Sequence, residues 1–274
     1  TARNLGVPKR VQDLSSKFIF NDPDSLERLF KTDSTGFAAV ILEPTGLCEP
    51  EDGFLERVRE LCDQYGVVLV FDEIVTGFRV DMGGAQRKYG VTPDLATFGK
   101  AMANGMPIST IVGKREIMKL MDDIFFSGTF GGETLSLAAA LATITKLEKI
   151  NAPEVFERTG RTIRDAVQSI ITDFELDDIV SVAGVDWWPR IVVEAYGKNS
   201  QIEMNTLLRQ ELIEHGIFMG GGFNLSIAHN DDNIISETLI GIHQALERFS
   251  TYLKTDNPMS NLRGELIKPV FKVR

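Results

Sequence analysis

The chain is short of the residues that build metal centres and disulfide frameworks. It has two cysteines, Cys48 and Cys62, and three histidines, His215, His229 and His243, in 274 residues. Neither set has the spacing of metal ligands or of a disulfide scaffold. Positive charge is also scarce: 29 Lys and Arg stand against 39 Asp and Glu, a formal net charge of -10. A phosphate backbone attracts basic surfaces, so nucleic acid is not the expected partner. No apolar run reaches the ~18 residues of a membrane span, and the first residues lack the charged and apolar regions of a secretory signal. These absences lead to the expectation of a reducing, cytoplasmic setting without a structural metal. A P-loop is missing too: the pair Gly99-Lys100 is followed by Ala101 and has no upstream glycine at the required spacing.

What is present is ordinary in amount and informative in arrangement. With 43% hydrophobic and 25% charged residues, the chain reads as globular and long enough for one large or two smaller domains. The run Val67-Val68-Leu69-Val70-Phe71 ends in Asp72 and Glu73, and the run Asp94-Leu95-Ala96-Thr97-Phe98-Gly99 ends in Lys100. Short apolar runs bounded by turn residues read as strands buried on both faces of a parallel sheet. Ligands of such sheets bind at the carboxyl ends of the strands. A lone lysine after a strand is usually a solvated surface residue, and a strand-end acid usually caps a turn. An acid and an amine delivered to one edge are a different matter. The small-residue segment Ala101-Met102-Ala103-Asn104-Gly105-Met106-Pro107 surrounds the amine with little charge, and an apolar, ligand-filled cleft would ease loss of its proton. The pair suits pyridoxal phosphate, which needs a lysine for its Schiff base and a carboxylate on its ring nitrogen.

The remaining pattern predicts an α/β fold. Asp22 or Asp24 is placed to cap a helix over 26–31, with Pro23 near its first turn. A strand is expected over 37–42, a helix over 53–65 ended by Gly66, and the Asp72 strand after it; this order implies a right-handed parallel crossover. A polar loop follows over 79–90, then a strand over 108–113, a helix over 115–121, and an Ala/Leu-rich helix over 133–150 beginning just after Gly128-Thr129. Asn151-Ala152-Pro153 reads as the domain boundary. It separates a mostly parallel sheet flanked by helices, residues 1–150, from a smaller α+β domain, residues 151–274. In the second part, helices are expected over 154–173, 201–215 and 234–253, and short strands over 179–182, 191–195 and 223–228.

Several ordered motifs carry a resemblance. They are Phe71-Asp72-Glu73-Ile74-Val75-Thr76-Gly77-Phe78-Arg79, Thr92-Pro93-Asp94-Leu95, Phe98-Gly99-Lys100-Ala101, Gly105-Met106-Pro107-Ile108, Gly128-Thr129-Phe130-Gly131-Gly132-Glu133 and Glu43-Pro44. Together they resemble the core signature of class III, fold-type I aminotransferases, in the branch that includes the glutamate-1-semialdehyde aminomutases. The resemblance implies that Lys100 carries pyridoxal phosphate as a Schiff base and shuttles the substrate proton. It implies that Asp72 pairs with the ring nitrogen and that Ile74 packs on a ring face. Gly128 and Thr129 are implied to bind the cofactor phosphate across a homodimer interface. Glu43 would support the site, and Glu73 is given no chemistry.

The expected activity is amino-group transfer, by an aminotransferase or aminomutase, between a small-molecule amino donor and a carbonyl acceptor. Departures from the mutases lie at Gly220-Gly221-Gly222-Phe223, where they carry an acid, and at Thr45-Gly46-Leu47-Cys48. The arginine motif that ω-aminotransferases use for a substrate carboxylate has no counterpart near the C-terminus. A small aldehyde, keto acid or keto sugar is therefore the expected acceptor. The chain starts at Thr1, and neither the first phosphate-binding turn nor the ring-stacking aromatic of the family is found, so it reads as a C-terminal portion. The alternative is a non-catalytic, aminotransferase-derived module that pairs with another chain; intact Lys100 and Asp72 speak for the enzyme.

Overall fold

The computed structural model describes residues 4–32, 36–220 and 222–268. Residues 1–3 of the opening segment and Gly221 of the triple glycine lie outside these. The chain divides into two compact units, residues 4–154 and 155–268. No helix of the described residues is long and apolar enough to cross a membrane.

The N-terminal unit is built on a four-stranded sheet in the order β1 (Ala39–Leu42), β2 (Val68–Asp72), β3 (Leu95–Phe98), β4 (Thr110–Gly113). The pairs β1–β2 and β2–β3 are parallel and β3–β4 is antiparallel. The helices are α1 (Lys9–Gln12), α2 (Pro23–Thr32), α3 (Phe54–Tyr65), α4 (Ala85–Lys88), α5 (Arg115–Met118) and α6 (Thr134–Lys149). Asp22 is the residue that caps α2, its carboxylate accepting from Ser25 N at 3.0 Å. The apolar positions of α3 fall on one face, so Leu55, Val58, Leu61 and Cys62 are all buried, together with Leu26 and Phe30 of α2 and Leu69 and Phe71 of β2. Burial pushes the Cys62 thiol up to about 12, so it stays neutral and packs as a small hydrophobe.

Asp94 closes this core from the polar side. It is 6% exposed, at the entrance to β3. Its Oδ2 accepts from Leu69 N of β2 at 2.7 Å and from Arg59 of α3 at 3.0 Å. Its Oδ1 faces Lys114 Nζ at 2.7 Å. Three donors and two positive charges offset the desolvation of one buried acid. Burial by itself raises its pKa, but the Lys114, Leu69 and Arg59 contacts outweigh it and hold the carboxyl below its usual range.

The C-terminal unit packs a hairpin of β5 (Val180–Val185) and β6 (Trp188–Val193) with helices α7 (Ala152–Asp173), α8 (Gln201–Glu214) and α9 (Asp232–Leu253). Met204, Leu207, Leu208 and Leu212 of α8 and Ile242, Ala245, Leu246 and Phe249 of α9 are buried in it. Gly160 of α7 lets the hairpin turn approach: a Cβ there would lie 1.7 Å from the Asp186 carbonyl oxygen. Arg161 Nε and Arg164 Nη1 then bind the Asp186 carboxylate at 2.8 and 2.7 Å.

Three expectations need correction. The parallel strands, expected to be buried on both faces, bury only alternate residues: Leu69 and Phe71 are buried while Val68 and Val70 are half-buried, and Ile41 is exposed beside buried Val40 and Leu42, because helices α2 and α3 cover one face. The strands of the hairpin run on through Val185 and Trp188, because Gly184 takes φ +89 within the ladder and the turn is only Asp186-Trp187. No strand forms over 223–228; Phe223 N reaches Pro189 O at 2.9 Å, but Ile227–His229 is a 3-10 turn that breaks the ladder.

The Asp94 network yields a stability prediction. Asp94→Asn should cost about 2–3 kcal/mol at neutral pH, as expected for losing a charged hydrogen-bond acceptor. A depressed carboxyl stabilises the fold above its unfolded value, near ~3.9, and that stability is lost as pH falls through the folded value. The gap between parent and variant in urea unfolding should therefore narrow below about pH 4. An equal gap at pH 7 and pH 3 would show that the charge does not carry the effect.

Candidate active site at the carboxyl edge of the parallel strands

Asp72 is the last residue of β2 and stands opposite Thr97 of β3. Its Oδ1 accepts from Ile74 N at 3.1 Å and from the Thr97 hydroxyl at 3.2 Å. Both bonds fall on the same oxygen. Among the described residues Oδ2 has no hydrogen-bond partner, so a half-buried carboxylate keeps one oxygen for a donor from outside. Lys100 lies three positions past Thr97, as the first residue of the 3-10 turn Lys100–Met102. Its φ is +41, in the left-handed region that a non-glycine residue seldom enters. Ile74 packs beside the residue before Lys100: its Cγ2 is 3.8 Å from where a Cβ on Gly99 would be. The register thus brings Asp72, Ile74 and Lys100 to one edge. Glu43 follows β1, so it reaches that edge as well, and it is exposed.

The lysine turn is supported from one side. Met102 and Ala103 pack with Ala96, Phe98 and Ala140 of α6. The Lys100 side chain itself is exposed. Gly128 and Thr129 are exposed too, in a turn closed by Gly131 N to Gly128 O at 2.9 Å. Among the described residues no hydrogen bond joins them to Asp72 or Lys100. Glu133 caps α6 just beyond them, accepting from Leu135 N and Ser136 N at 2.7 Å each. The Ser136 hydroxyl and these two amides hold the Glu133 carboxyl below its usual range.

Sequence reading gave Glu73 no chemistry, and it does not see what this side chain builds. Glu73 is 1% exposed. It accepts from the Thr76 hydroxyl, from Ala85 N at 2.9 Å and from Gln86 N at 3.0 Å. It therefore caps α4 from the end of β2 and folds the loop 74–84 back on the strand. The loop passes so close that a Cβ on Gly84, where φ is +77, would lie 2.5 Å from Glu73 Oε1. Arg79 in the same loop donates to Val75 O at 3.0 Å, and burial pushes its guanidinium below its ordinary value.

The chain is similar to known proteins along most of its length. The sequence model of the family described as Aminotransferase class-III matches residues 9–234. A glutamate-1-semialdehyde 2,1-aminomutase of Ignicoccus hospitalis is 33% identical over 271 residues, which cover 90% of this chain and 62% of that protein. A 3-aminobutyryl-CoA aminotransferase of Cloacimonas acidaminovorans is 37% identical over 221 residues, covering 78% of this chain and 53% of that protein. A solved transaminase with PLP bound superposes with a TM-score of 0.81 at 24% identity, over 92% of this chain and 61% of the other; this likeness speaks to the fold. The chain thus spans a little over half the length of these relatives.

Replacing Glu73 by Ala should strand the Ala85 and Gln86 amides and release the loop. A loss of about 2–4 kcal/mol is expected from removing a buried acceptor of three donors, with new protease cleavage inside 76–84. Unfolding within about 0.5 kcal/mol of the parent, the range of an ordinary surface change, and an uncut loop would contradict the clip.

Proposed function

The chain belongs to the class III aminotransferases, and on that premise we propose that it takes part in pyridoxal phosphate-dependent amino-group transfer between a small amino donor and a small aldehyde, keto acid or keto sugar. The observation that supports this best is the edge itself: a strand-end carboxylate with one oxygen unclaimed, a lysine on the next strand's exit, and an isoleucine beside the glycine that precedes the lysine. These residues fit the group. Lys100 Nζ would be the point of covalent attachment. Asp72 Oδ2 would accept a hydrogen bond from the ring nitrogen and hold its proton there. Ile74 packs against a ring face. The group, when bound, supplies an electron sink for the substrate's Cα–H bond. Lys100 Nζ would hold and move the substrate Cα proton as a general base and acid.

Gly128 and Thr129 contribute their backbone and hydroxyl to the phosphate of a second copy's site. Support for this shared arrangement comes from the apolar surface around them. Phe125 and Phe126 are 98% and 68% exposed, and Ile124, Phe130, Leu135 and Leu141 are exposed beside them in sequence. An apolar surface of this kind commonly marks an interface, and a homodimer is the partner we propose for it.

The reading is tested by adding pyridoxal phosphate and following its long-wavelength absorbance. An amino donor should remove the band and a keto acid should restore it. Asp72→Asn should slow this exchange by ~10²-fold or more, the scale of removing a preorganised electrostatic partner, while leaving the cofactor bound. A band that no donor alters would overturn amino transfer and favour a non-catalytic pairing module. A variant within a few-fold of the parent would remove Asp72 from the ring.

A further inference from the structure

The hairpin of the C-terminal unit ends in a group of unpaired donors. Arg190 on β6 is half-buried, and its Nε is enclosed with no hydrogen-bond partner. Trp188, two residues earlier and so on the same face of the strand, has an enclosed Nε1 that also lacks an acceptor. The two side chains lie together: a Cβ on Gly222 would be 2.6 Å from Arg190 Cγ and 3.2 Å from Trp188 Nε1. Among the described residues Arg190 makes no ion pair.

A second arginine lines the same space. Arg190, Arg209, Asn205 and Gln201 line a cavity of about 210 Å³ between β6 and α8, with no acidic residue in its lining. Arg209 Nε donates to Asn205 Oδ1 at 2.9 Å, which fixes the fork's orientation. Of the nearby acids, one bonds a lining glutamine and two pair with other arginines. Glu194 accepts from Gln201 at 3.4 Å, Glu211 pairs with Arg263 at 3.1 Å, and Asp186 is held by Arg161 and Arg164. An enclosed N–H without an acceptor is costly, and the planar fork of a guanidinium matches an oxyanion with two parallel bonds.

We propose that this cavity binds a small oxyanion, the carboxylate or phosphate group of a molecule of a few heavy atoms, between Arg190 and Arg209. The volume is below the ~300 Å³ at which drug-sized sites begin, which sets the upper size. None of these residues takes part in the amino transfer proposed above, so the two readings stand or fall separately.

The sequence supplies its own reporter. Its two tryptophans are Trp187 and Trp188, stacked at 5.9 Å beside Arg190. Tryptophan emission of the full chain is titrated with phosphate, succinate and chloride at constant ionic strength. A saturable change with phosphate or with succinate, absent with chloride, is expected; the anion that saturates identifies the headgroup. Arg190→Gln should weaken the titration about tenfold or more, and Arg209→Gln should weaken it in the same direction, the loss expected for a charge-assisted contact. Thermal melts of both variants check that they fold, and either folded variant suffices. Non-saturating changes shared by all three anions, or folded variants that titrate like the parent, would overturn the proposal.

Discussion

Everything at the candidate site depends on the parallel pairing of β2 with β3, and carboxylates hold that pairing at both ends. At the entrance, Asp94 ties β3 to the Leu69 amide of β2, to α3 through Arg59 and to the exit of β4 through Lys114. At the exit, Asp72 takes the Thr97 hydroxyl across the same two strands. Side chains alternate along a strand, so a slip of one residue would turn the Leu69 and Phe71 face out of the core. The core therefore fixes the register, and the register fixes how far Lys100 emerges beyond Asp72.

The edge combines rigidity with local strain. Glu73 clips the loop after β2, which keeps Ile74 over the Gly99 peptide. Lys100 is held at φ +41, a conformation that costs on the order of 1 kcal/mol or more and persists only where the surroundings impose it. Here they are the packed Met102 and Ala103 on α6. Strain of this kind collects at functional sites, which fits a lysine whose position matters more than its comfort. In the C-terminal unit, Gly160 and the Asp186 clamp play the corresponding part, presenting Trp188 and Arg190 from a fixed turn.

Much of this edge is legible in the sequence, because it follows from local pattern. The run Val67–Phe71 is short and β-branched and forms a strand, though only one of its faces is fully buried; the spacing of Leu55, Val58, Leu61 and Cys62 makes a helix face, and Gly66 ends that helix at φ +67. The placement of Asp72 and Lys100 at one edge follows from the strand ends, and the roles expected of them come from the resemblance. Other features depend on partners far along the chain. Asp94 meets Arg59 and Lys114, and Glu73 meets amides of α4; no short window contains both members of either set. The full length of the hairpin is not legible because Gly184, Asp186 and Pro189 look like breakers, yet the two-stranded ribbon accommodates them. The alternation over 223–228 suggests a strand that the chain leaves for a 3-10 turn after a single bond to β6.

The central claim is that Lys100, placed by the β2–β3 register, is the residue that takes the cofactor. Incubation of the protein with pyridoxal phosphate, reduction with borohydride and peptide mass mapping test it most directly. The account predicts one pyridoxyl adduct, on Lys100, and none there in Lys100→Arg. An adduct on a different lysine of the folded protein, or no adduct at all, would contradict it.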